Sequence, residues 1–387
     1  MNIIEYYLSI TFLSVCGLFF SLFPVDEQKV VFASARDNKP TGNLAALLTA
    51  YKKRYPDGKN VILFRTYSYG LWGKISYLFS LVKTTYHLKT AHYFFIDNAL
   101  FPVHVIPHRK KTKVIQVWHA TGALKKFGLD TPVEERKVEN RFLHRGYDFV
   151  IADSEPTRQA YATAFGISED RILGLGSPRT DTLLAPDARQ KARTLLLTEH
   201  PGLAGKILLL FAPTFRGFSA DKSAAQTFNV ESLKNALGSN YAVVYKPHTV
   251  IKESPDTHFD AVLSSKNDLN VYLPAFDGLI TDYSSVLFEA ALLGMPLFKI
   301  CGDLKDYLKQ NGFYIDYLRD IPGANCRTTD ELSDAIKETH INTRMPELAQ
   351  TEYRAFAARF CTYSKGHTCE AILSEFPLAD GERKQST

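Results

Sequence analysis

Four segments of this 387-residue chain place polar side chains directly after short apolar runs. The apolar runs predict β-strands, and ligands of open α/β sheets bind beyond the carboxyl ends of the strands. Residues at those ends are therefore the first candidates for chemistry. The four segments are VIQVWHATGALKKFG (114–128), LLLFAPTFRG (208–217), VVYKPH (243–248) and GLITDYSSVLFEAALLGMP (278–296).

The first segment combines a histidine with a glycine and two lysines. His119 follows Trp118 at the predicted end of a strand, and its ordinary pKa near neutrality suits a general base. Gly122 allows an unusual backbone angle or the close approach of a ligand, and Lys125 and Lys126 follow it. The alternative is a structural histidine beside a buried tryptophan, which we disfavour because the glycine, the lysines and the position at the strand end agree.

The second and third segments each end a strand at a proline. Thr214 and Arg216 follow the second strand, and an arginine there can hold a phosphate through two parallel hydrogen bonds. A surface arginine on a connecting loop is the alternative. Lys246 and His248 follow the third strand, and His248 could stabilise charge that develops on an anionic oxygen.

The fourth segment is the most specific of the four. A buried strand ends in Thr281–Asp282, and Ser284 and Ser285 then open a helix. Serine is a favoured helix N-cap, and the N–H groups and positive dipole end of a helix bind anions. Capping and diphosphate binding are compatible at this position. Glu289, one turn further on, either faces a ribose hydroxyl or is solvated.

Several catalytic signatures are absent from the sequence. It contains no GxxxxGK[ST] loop, no GxGxxG after a predicted strand, no GxSxG, no HExxH and no DxD pair at a strand end. The five cysteines form no CxxC pair, which argues against a zinc site or a disulfide framework and favours a reducing cytoplasm. We predict no metal ligands, because arginine, lysine, histidine and a helix N-terminus suffice to neutralise a phosphoryl group.

Composition and charge restrict the class of protein. A hydrophobic fraction of 45% and a charged fraction of 22% exclude a disordered chain, a collagen and a polytopic membrane protein. The formal net charge of +5 is mild, so any basic binding surface must be local. No nucleic-acid partner is expected.

Short β-rich runs alternate with helical stretches after residue 26, which predicts βαβ units and parallel sheets. In the first half, strands are predicted at 29–33, 60–64, 91–96, 113–117 and 148–152, with helices near 44–54, 71–84 and 132–144. In the second half, strands are predicted at 206–211, 241–245, 259–262, 278–281 and 296–298, with helices near 230–236, 284–293 and 329–338. The predicted fold class is α/β, with two doubly wound domains that face each other across a cleft.

The predicted organisation has four parts. A membrane-associating helix at 1–25 precedes domains at 26–190 and 191–345, and a helical segment with a frayed tail follows at 346–387; the linker falls in 178–205. Residues 6–25 carry no charge and are compatible with a buried core helix, a spanning anchor or an interfacial helix, of which we favour the last. A basic stretch at 104–126, without Asp or Glu, is either a solvated loop or a contact with anionic lipid. Its cations are Arg109, Lys110, Lys111, Lys113, Lys125 and Lys126.

Together the four segments resemble the CDP-glycerol glycerophosphotransferase family of teichoic-acid synthesis, and in finer features its glycerol-phosphate primase branch. The matching residues are Trp118-His119-x-Thr121-Gly122 with Leu124-Lys125-Lys126, Ala212-Pro213-Thr214-Phe215-Arg216, Lys246-Pro247-His248 and Ile280-Thr281-Asp282-Tyr283-Ser284-Ser285. The resemblance implies a GT-B-like fold of two Rossmann-like domains, the N-terminal one for the acceptor and the C-terminal one for CDP-glycerol. It also implies an enzyme at the cell membrane, peripheral or monotopic, on the cytoplasmic face.

The implied reaction is transfer of glycerol 3-phosphate from CDP-glycerol to an N-acetylmannosaminyl-N-acetylglucosaminyl undecaprenyl diphosphate, with release of CMP. We assign His119 and His248 to catalysis, and the loop of Trp118, Thr121, Gly122, Lys125 and Lys126 to the acceptor side. The residues assigned to the donor phosphates are Thr214, Arg216, Lys246, Thr281, Asp282, Ser284 and Ser285, with Glu289 a weaker assignment to the ribose. No cofactor is expected to bind tightly, and magnesium could assist through the substrate phosphates.

Three other functions share some of these features. A teichoic-acid or capsule polymerase would add glycerol or ribitol phosphate to a primed chain with the same motifs. A GT-B nucleotide-sugar glycosyltransferase would transfer a sugar instead, and a membrane-bound scaffold would keep the fold without the chemistry.

Overall fold

Two parallel β-sheets form the framework of the protein. The structure is a computed structural model that describes residues 3–67, 70–133, 143–216, 223–224, 228–248, 258–339, 341 and 347–378. The N-terminal sheet consists of β1 (Asp26–Ser34), β2 (Lys59–Phe64), β3 (Ala91–Ile96), β4 (Lys113–Gln116), β5 (Phe149–Ala152) and β6 (Ile172–Gly174). The C-terminal sheet consists of β7 (Ile207–Phe211), β10 (Tyr241–Tyr245), β11 (Ala261–Val262), β12 (Gly278–Thr281), β13 (Leu297–Ile300) and β14 (Ala324–Cys326), and β8 (Phe215–Arg216) and β9 (Ser223–Ala224) form a short antiparallel pair.

The strand order reverses once in each sheet, and those reversals locate the ligand crevices. The N-terminal order is β2-β1-β3-β4-β5-β6, and the C-terminal order is β11-β10-β7-β12-β13-β14. Successive connections leave to opposite sides at β1/β3 and at β7/β12. A crevice opens at such a point beyond the carboxyl ends of the strands.

Helices cover both faces of each sheet, so the strands are nearly continuous apolar runs. The strand β7, with sequence ILLLF, is buried along almost its whole length. The N-terminal helices are α1 (Ile3–Phe20), α2 (Gly42–Arg54), α3 (Leu71–Thr90), α4 (Phe101–Val105), α5 (Glu155–Phe165) and α6 (Thr180–Leu183). The remaining helices are α7 (Ala188–Glu199), α8 (Val230–Leu237), α9 (Leu269–Tyr272), α10 (Val286–Leu292), α11 (Leu304–Asn311), α12 (Thr329–Glu338), α13 (Glu347–Phe360) and α14 (Thr368–Glu375).

The chain returns to the N-terminal domain at its end. Helix α13 packs on α10, where the rings of Phe356 and Phe288 lie 5.4 Å apart. Helix α14 then packs against α2, and Phe376 contacts Tyr93 of β3 with ring centroids 5.7 Å apart. The last helix is therefore part of the N-terminal core, although it follows the C-terminal domain in sequence.

Helix α1 buries one side and exposes the other. Leu13 is fully buried, Gly17 lies against Ile106, and Phe20 packs edge-on to Tyr86 of α3 at 5.3 Å. The outer side exposes large apolar side chains: Tyr7, Leu8, Phe12, Val15, Leu18 and Phe19. Within the described part of the chain, no helix combines the length and the hydropathy that crossing a bilayer requires.

The predicted α/β architecture with two parallel-sheet domains is confirmed, and the differences are local. The bounds of β3, β10, β12 and α12 agree with the predicted ones. The predictions missed β6 and β14, and the predicted linker 178–205 contains α6 and α7; α13 and α14 lie within the helical segment predicted at 346–387. The predicted helix at 132–144 falls mostly on 134–142, and the predicted frayed tail on 379–387; both lie outside the described residues.

Candidate active site

The loop after β4 is held in a strained conformation by an aromatic cluster. Trp118 has a φ of +50°, which is unfavourable for a residue with a side chain. Its ring stacks on Phe127 at 4.9 Å and meets Phe165 edge-on at 5.1 Å. The Asn43 amide donates hydrogen bonds to the Val117 and Trp118 carbonyls at 2.9 and 3.0 Å. These contacts hold the following residue, His119, at the carboxyl end of the sheet.

His119 is oriented so that one ring nitrogen is engaged and the other can accept a proton. Nδ1 lies 2.9 Å from the carbonyl oxygen of Asp97, and a carbonyl only accepts, so Nδ1 carries the hydrogen. The lone pair is then on Nε2. Burial, together with the positive charges of Arg36 and Arg179, lowers the pKa of His119 to about 3. The ring is therefore neutral near pH 7, the form in which an imidazole acts as a base.

On the C-terminal side, Arg216 joins two carboxylates. Its Nη1 donates to Asp282 Oδ2 at 2.7 Å, and its Nε donates to Asp303 Oδ2 at 2.7 Å. Asp282 also accepts hydrogen bonds from the backbone N–H of Thr214 at 2.7 Å and from its hydroxyl at 2.9 Å. The guanidinium lies over the ring of Tyr283 at 5.1 Å. Burial opposes the charge of Arg216, but the two carboxylates raise its pKa above the ordinary value.

Hydrogen bonds hold the residues at the end of β12 in place. The Thr281 hydroxyl donates to the Ala212 carbonyl at 2.7 Å, and Thr281 is fully buried, so it shapes the crevice at β7/β12. Ser284 Oγ accepts a 3.4 Å hydrogen bond from the Val286 N–H. Ser285 is the N-cap residue of α10, as the pair of serines predicts, but its backbone is already helical and its side chain makes no capping hydrogen bond.

Lys125 and Lys126 lie where the two domains meet. Their loop pairs with the C-terminal domain through an isolated bridge between Lys125 and Phe313, and the Lys126 N–H donates to the Gly312 carbonyl at 3.1 Å. Lys125 Nζ lies 5.2 Å from the ring centroid of Tyr307. Burial lowers the pKa of Lys125 to about 8, and the negative charge of Asp282 opposes this shift. Lys125 thus belongs to the same charged cluster as Arg216.

Lys246 and His248 follow β10 on the same side of the C-terminal sheet. Lys246 is 6% exposed, and its Nζ donates to the carbonyls of Pro247 and Ser265 at 3.2 and 3.1 Å. Burial lowers the pKa of this ammonium to about 8. His248 is half-buried. The described residues contain no group of three or more His, Cys, Asp or Glu side chains arranged to hold a metal ion.

These sites occur in a chain whose residues 17–375 match the family model for CDP-glycerol:poly(glycerophosphate) glycerophosphotransferases. The chain belongs to this family. It is a transferase of teichoic-acid biosynthesis. The resemblance carried by its four motifs is confirmed.

Curated relatives include primases and polymerases. The teichoic acid ribitol-phosphate primase of Bacillus spizizenii is 34% identical over 365 residues, which cover 91% of each chain. The teichoic acid glycerol-phosphate primase of Bacillus subtilis is 32% identical over 304 residues, 76% of this chain and 75% of that protein. The poly(ribitol-phosphate) polymerase of Bacillus spizizenii is 33% identical over 337 residues, 84% of this chain and 53% of the polymerase.

A solved wall teichoic acid polymerase, TagF, has a similar fold. Its structure superposes with a TM-score of 0.76 at 22% identity and covers 96% of this chain and 95% of that chain. The similarity supports a GT-B-like arrangement of the two parallel-sheet domains.

In this transferase, the loop after His119 is a contact between the domains. The φ of Gly122 is +70°, and a Cβ there would lie 2.5 Å from the Phe288 ring. The Thr121 hydroxyl donates to Ser177 Oγ at 3.1 Å in a buried position. Close packing of this loop against α10 therefore positions His119 relative to the C-terminal domain.

Glu289 is not at a surface that could meet a ribose. Its side chain is 3% exposed and lies 3.6 Å from the Arg179 guanidinium. Burial raises the pKa of Glu289, and Arg179 opposes that shift. Asp153 lies in the same buried region, where burial and the charge of Glu289 raise its pKa to about 7. The predicted solvated or ribose-facing carboxylate is instead part of the domain interface.

The sequence motifs did not predict several residues that lie at the site. Arg36 follows β1, Asp97 follows β3 and Asp303 follows β13. Arg179 donates to the His119 carbonyl at 2.8 Å. Arg36, Asp97 and Asp303 each lie just beyond a strand. The motifs covered only four strand ends, and the same rule applied to every strand would have predicted these three residues.

Proposed function

We propose that this transferase is a teichoic-acid primase. It would move glycerol 3-phosphate from CDP-glycerol to a hydroxyl of an N-acetylmannosaminyl-N-acetylglucosaminyl undecaprenyl diphosphate and release CMP. The observation that carries the proposal is the orientation of His119, whose Nδ1 is engaged by Asp97 and whose Nε2 is left to take a proton. The family name and a TagF variant solved after a CDPG soak support CDP-glycerol as the donor.

In the proposed mechanism, His119 Nε2 takes the proton of the acceptor hydroxyl as its oxygen attacks the glycerol-bearing phosphorus. The bond between that phosphorus and the CMP oxygen breaks, and its electron pair leaves with CMP. His248 and Lys246 would hold the diphosphate, and Ser284 and Ser285 its non-bridging oxygens. The protein contributes mainly position and electrostatics to such a transfer. Magnesium could assist through the substrate phosphates.

The contacts of Arg216 refine the role expected for it. Its guanidinium already pairs with Asp282 and Asp303 at 2.7 Å each. We therefore propose that Arg216 mainly positions Thr214 and the end of β12 at the donor crevice. Lys125, in the same cluster, would add positive charge from the other domain.

Primases and a polymerase are similar to this chain at nearly equal identity, 34% and 32% for two primases and 33% for the polymerase, so the acceptor has to be decided by assay. One of these relatives favours a second donor. The primase with 34% identity is a ribitol-phosphate enzyme. CDP-ribitol is therefore the second candidate donor.

The decisive assay is CMP release from CDP-glycerol and, separately, from CDP-ribitol. Each donor is offered a synthetic disaccharide lipid diphosphate and the same acceptor already bearing one glycerol phosphate. The primase proposal expects release with the unprimed acceptor and a product heavier by a single unit. Release with the primed acceptor alone would identify a polymerase, and release from CDP-ribitol alone would change the donor.

The base assignment is tested with His119→Ala and a control, His367→Ala, whose side chain is exposed. Loss of a general base lowers turnover by roughly 10²–10⁴-fold. We expect that loss for His119→Ala, with a smaller effect on CDP-glycerol binding, and wild-type turnover for the control. Near-normal turnover of His119→Ala would refute the assignment.

We also propose that the enzyme is a peripheral or monotopic protein of the cytoplasmic face of the cell membrane. Helix α1 packs against α3, which also exposes large apolar side chains: Trp72 is 81% and Phe79 71% exposed. The basic stretch is adjacent, because Arg109 donates to the Phe23 carbonyl at 2.6 Å and Lys111 pairs with Glu27 at 2.8 Å. An apolar surface with nearby cations supplies the two signals that stable attachment requires.

The membrane proposal is tested by changes on that exposed side. Leu18 and Leu22 are 74% and 79% exposed, so Leu18→Ser with Leu22→Ser leaves the core intact. Each buried leucine contributes about 1.5–3 kcal/mol, and we expect binding to phosphatidylglycerol vesicles to fall by about tenfold or more. Val271→Ser with Leu308→Ser, on the C-terminal domain, is the control. Unchanged vesicle sedimentation of the α1 variant would contradict the proposal.

A further inference from the structure

The N-terminal sheet has its own crevice, at the point where the strand order reverses between β1 and β3. Arg36 follows β1, and Asp97 and Asn98 follow β3. The two strand ends are tied together, because the Ala35 N–H donates to Asn98 Oδ1 at 3.2 Å. Such a crevice is where a doubly wound sheet binds its ligand. Arg36 lies at its edge.

His119 is part of the same crevice. Its Nδ1 hydrogen bond to the Asp97 carbonyl holds the imidazole at the end of β3. After burial, the charge of Arg36 makes the largest contribution to the lowered pKa of His119, and Arg179 and His144 lower it further. Because β1 and β3 are neighbouring strands that pair up to Ala33 and Ile96, Arg36 and the proposed base lie at adjoining strand ends.

The two arginines of this crevice differ in what they contact. Arg179 donates from Nε to Asn43 Oδ1 at 3.1 Å and from Nη2 to the His119 carbonyl at 2.8 Å. These hydrogen bonds fix its side chain against the loop that carries His119. Arg36 is exposed to solvent, although surrounding protein and Arg179 lower its pKa. Arg36 is therefore accessible to a ligand at the ends of β1 and β3. The carboxylates that oppose the shift are Asp97, Asp37 and Asp268.

We propose that Arg36 binds a phosphate oxyanion of a substrate in this crevice and that the bound oxyanion makes His119 a stronger base. This inference rests on the proposed phosphoryl transfer. A guanidinium suits a phosphate because it offers parallel N–H donors. Once a phosphate neutralises Arg36, protonation of His119 is no longer opposed by that charge. The base then strengthens when a substrate is in place to give up its hydroxyl proton.

The phosphate belongs either to the donor or to the lipid diphosphate of the acceptor, and kinetics separate them. The test variant is Arg36→Gln, with Arg36→Lys to retain charge and Lys39→Gln, an exposed lysine of the same loop, as the matched control. Loss of hydrogen bonds to a charged group weakens binding by on the order of ten- to a hundredfold. We expect the KM of one substrate to rise by that factor in Arg36→Gln and to stay at the wild-type value in Lys39→Gln.

The substrate whose KM rises identifies the phosphate. A higher KM for CDP-glycerol assigns it to the donor. A higher KM for the lipid diphosphate, but not for an acceptor analogue that lacks the diphosphate, assigns it to the acceptor. Unchanged KM values for both substrates would refute phosphate binding by Arg36.

The coupling to His119 has its own readout, the pH dependence of kcat/KM. In the free enzyme the charge of Arg36 opposes protonation of His119, so its removal should move the acidic limb of the profile to higher pH. Arg36→Lys should keep the wild-type limb. An unmoved limb in Arg36→Gln would refute the coupling even if the KM changes.

Binding experiments separate a failure of this inference from a failure of the proposed function. Inorganic pyrophosphate is titrated into wild type and Arg36→Gln by calorimetry. Weaker binding by the variant supports the phosphate site even if no CDP-polyol is a substrate. Equal binding, in an enzyme that does release CMP with unchanged KM values, overturns the inference alone.

Discussion

Arg216 pairs with two carboxylates that differ mainly in burial, which permits a quantitative test of how the donor crevice is held together. The Asp282 side chain is fully buried, whereas that of Asp303 is 46% exposed. Removing one partner of a buried ion pair destabilises a protein by about 3–5 kcal/mol, because the other charge stays buried. An exposed pair contributes about 1 kcal/mol or less. We therefore expect Asp282→Asn to lower the free energy of unfolding by about 3 kcal/mol and Asp303→Asn by about 1 kcal/mol.

Urea unfolding can assign this loss to a domain. Both tryptophans of the chain, Trp72 and Trp118, lie in the N-terminal domain, so fluorescence follows that domain, whereas circular dichroism follows both. The Asp282→Asn loss should be larger by circular dichroism than by fluorescence. Equal losses for the two aspartate variants would refute the reasoning, because burial would then not govern the strength of these pairs.

Three further predictions concern the loop of the base and the domain interface. In Gly122→Ala, a Cβ 2.5 Å from the Phe288 ring at a φ of +70° should reduce stability by about 1–3 kcal/mol and lower kcat; unchanged unfolding and turnover would contradict this. Trp118→Ala removes the ring that holds the strained loop, so kcat should fall more than the affinity for CDP-glycerol. Equal effects on both would argue that Trp118 does not position His119. Burial raises the pKa of Asp153 to about 7, so the folded state binds its proton more tightly than the unfolded state, and stability should fall as pH rises from about 4 to 7. Asp153→Asn should flatten this fall in melting temperatures measured from pH 5 to 8, and a slope identical to the wild type would show that Asp153 is not its source.

Strand prediction succeeded where burial alone determines the strand. The runs of β3, β10 and β12 are apolar on both faces because helices cover both sides of each sheet, and their bounds agree with the prediction. The edge strands β6 and β14 are three residues each, and their sequences ILG and ANC carry no distinct apolar pattern. These two segments form strands because they pair with a neighbouring strand of the sheet.

The predictable part of the site was the set of residues at strand ends. A strand that ends at the edge of a parallel sheet presents the next side chains to a crevice, whatever the rest of the chain does. The four strand ends with polar motifs predicted the positions of His119, of Lys246 and His248, and of the crevice around Asp282. The same rule applied to β1 would have located Arg36.

The sequence by itself determined the α/β class, the family and the polar residues at the strand ends, because local apolar patterns and motifs encode burial. Only the tertiary structure decided which charges meet. Arg216 lies 66 residues from Asp282 and 87 from Asp303, and Glu289 turned out to face Arg179 inside the domain interface. The partner and the burial of a charged side chain depend on how distant segments pack, and together they decide whether it binds substrate or stabilises the fold.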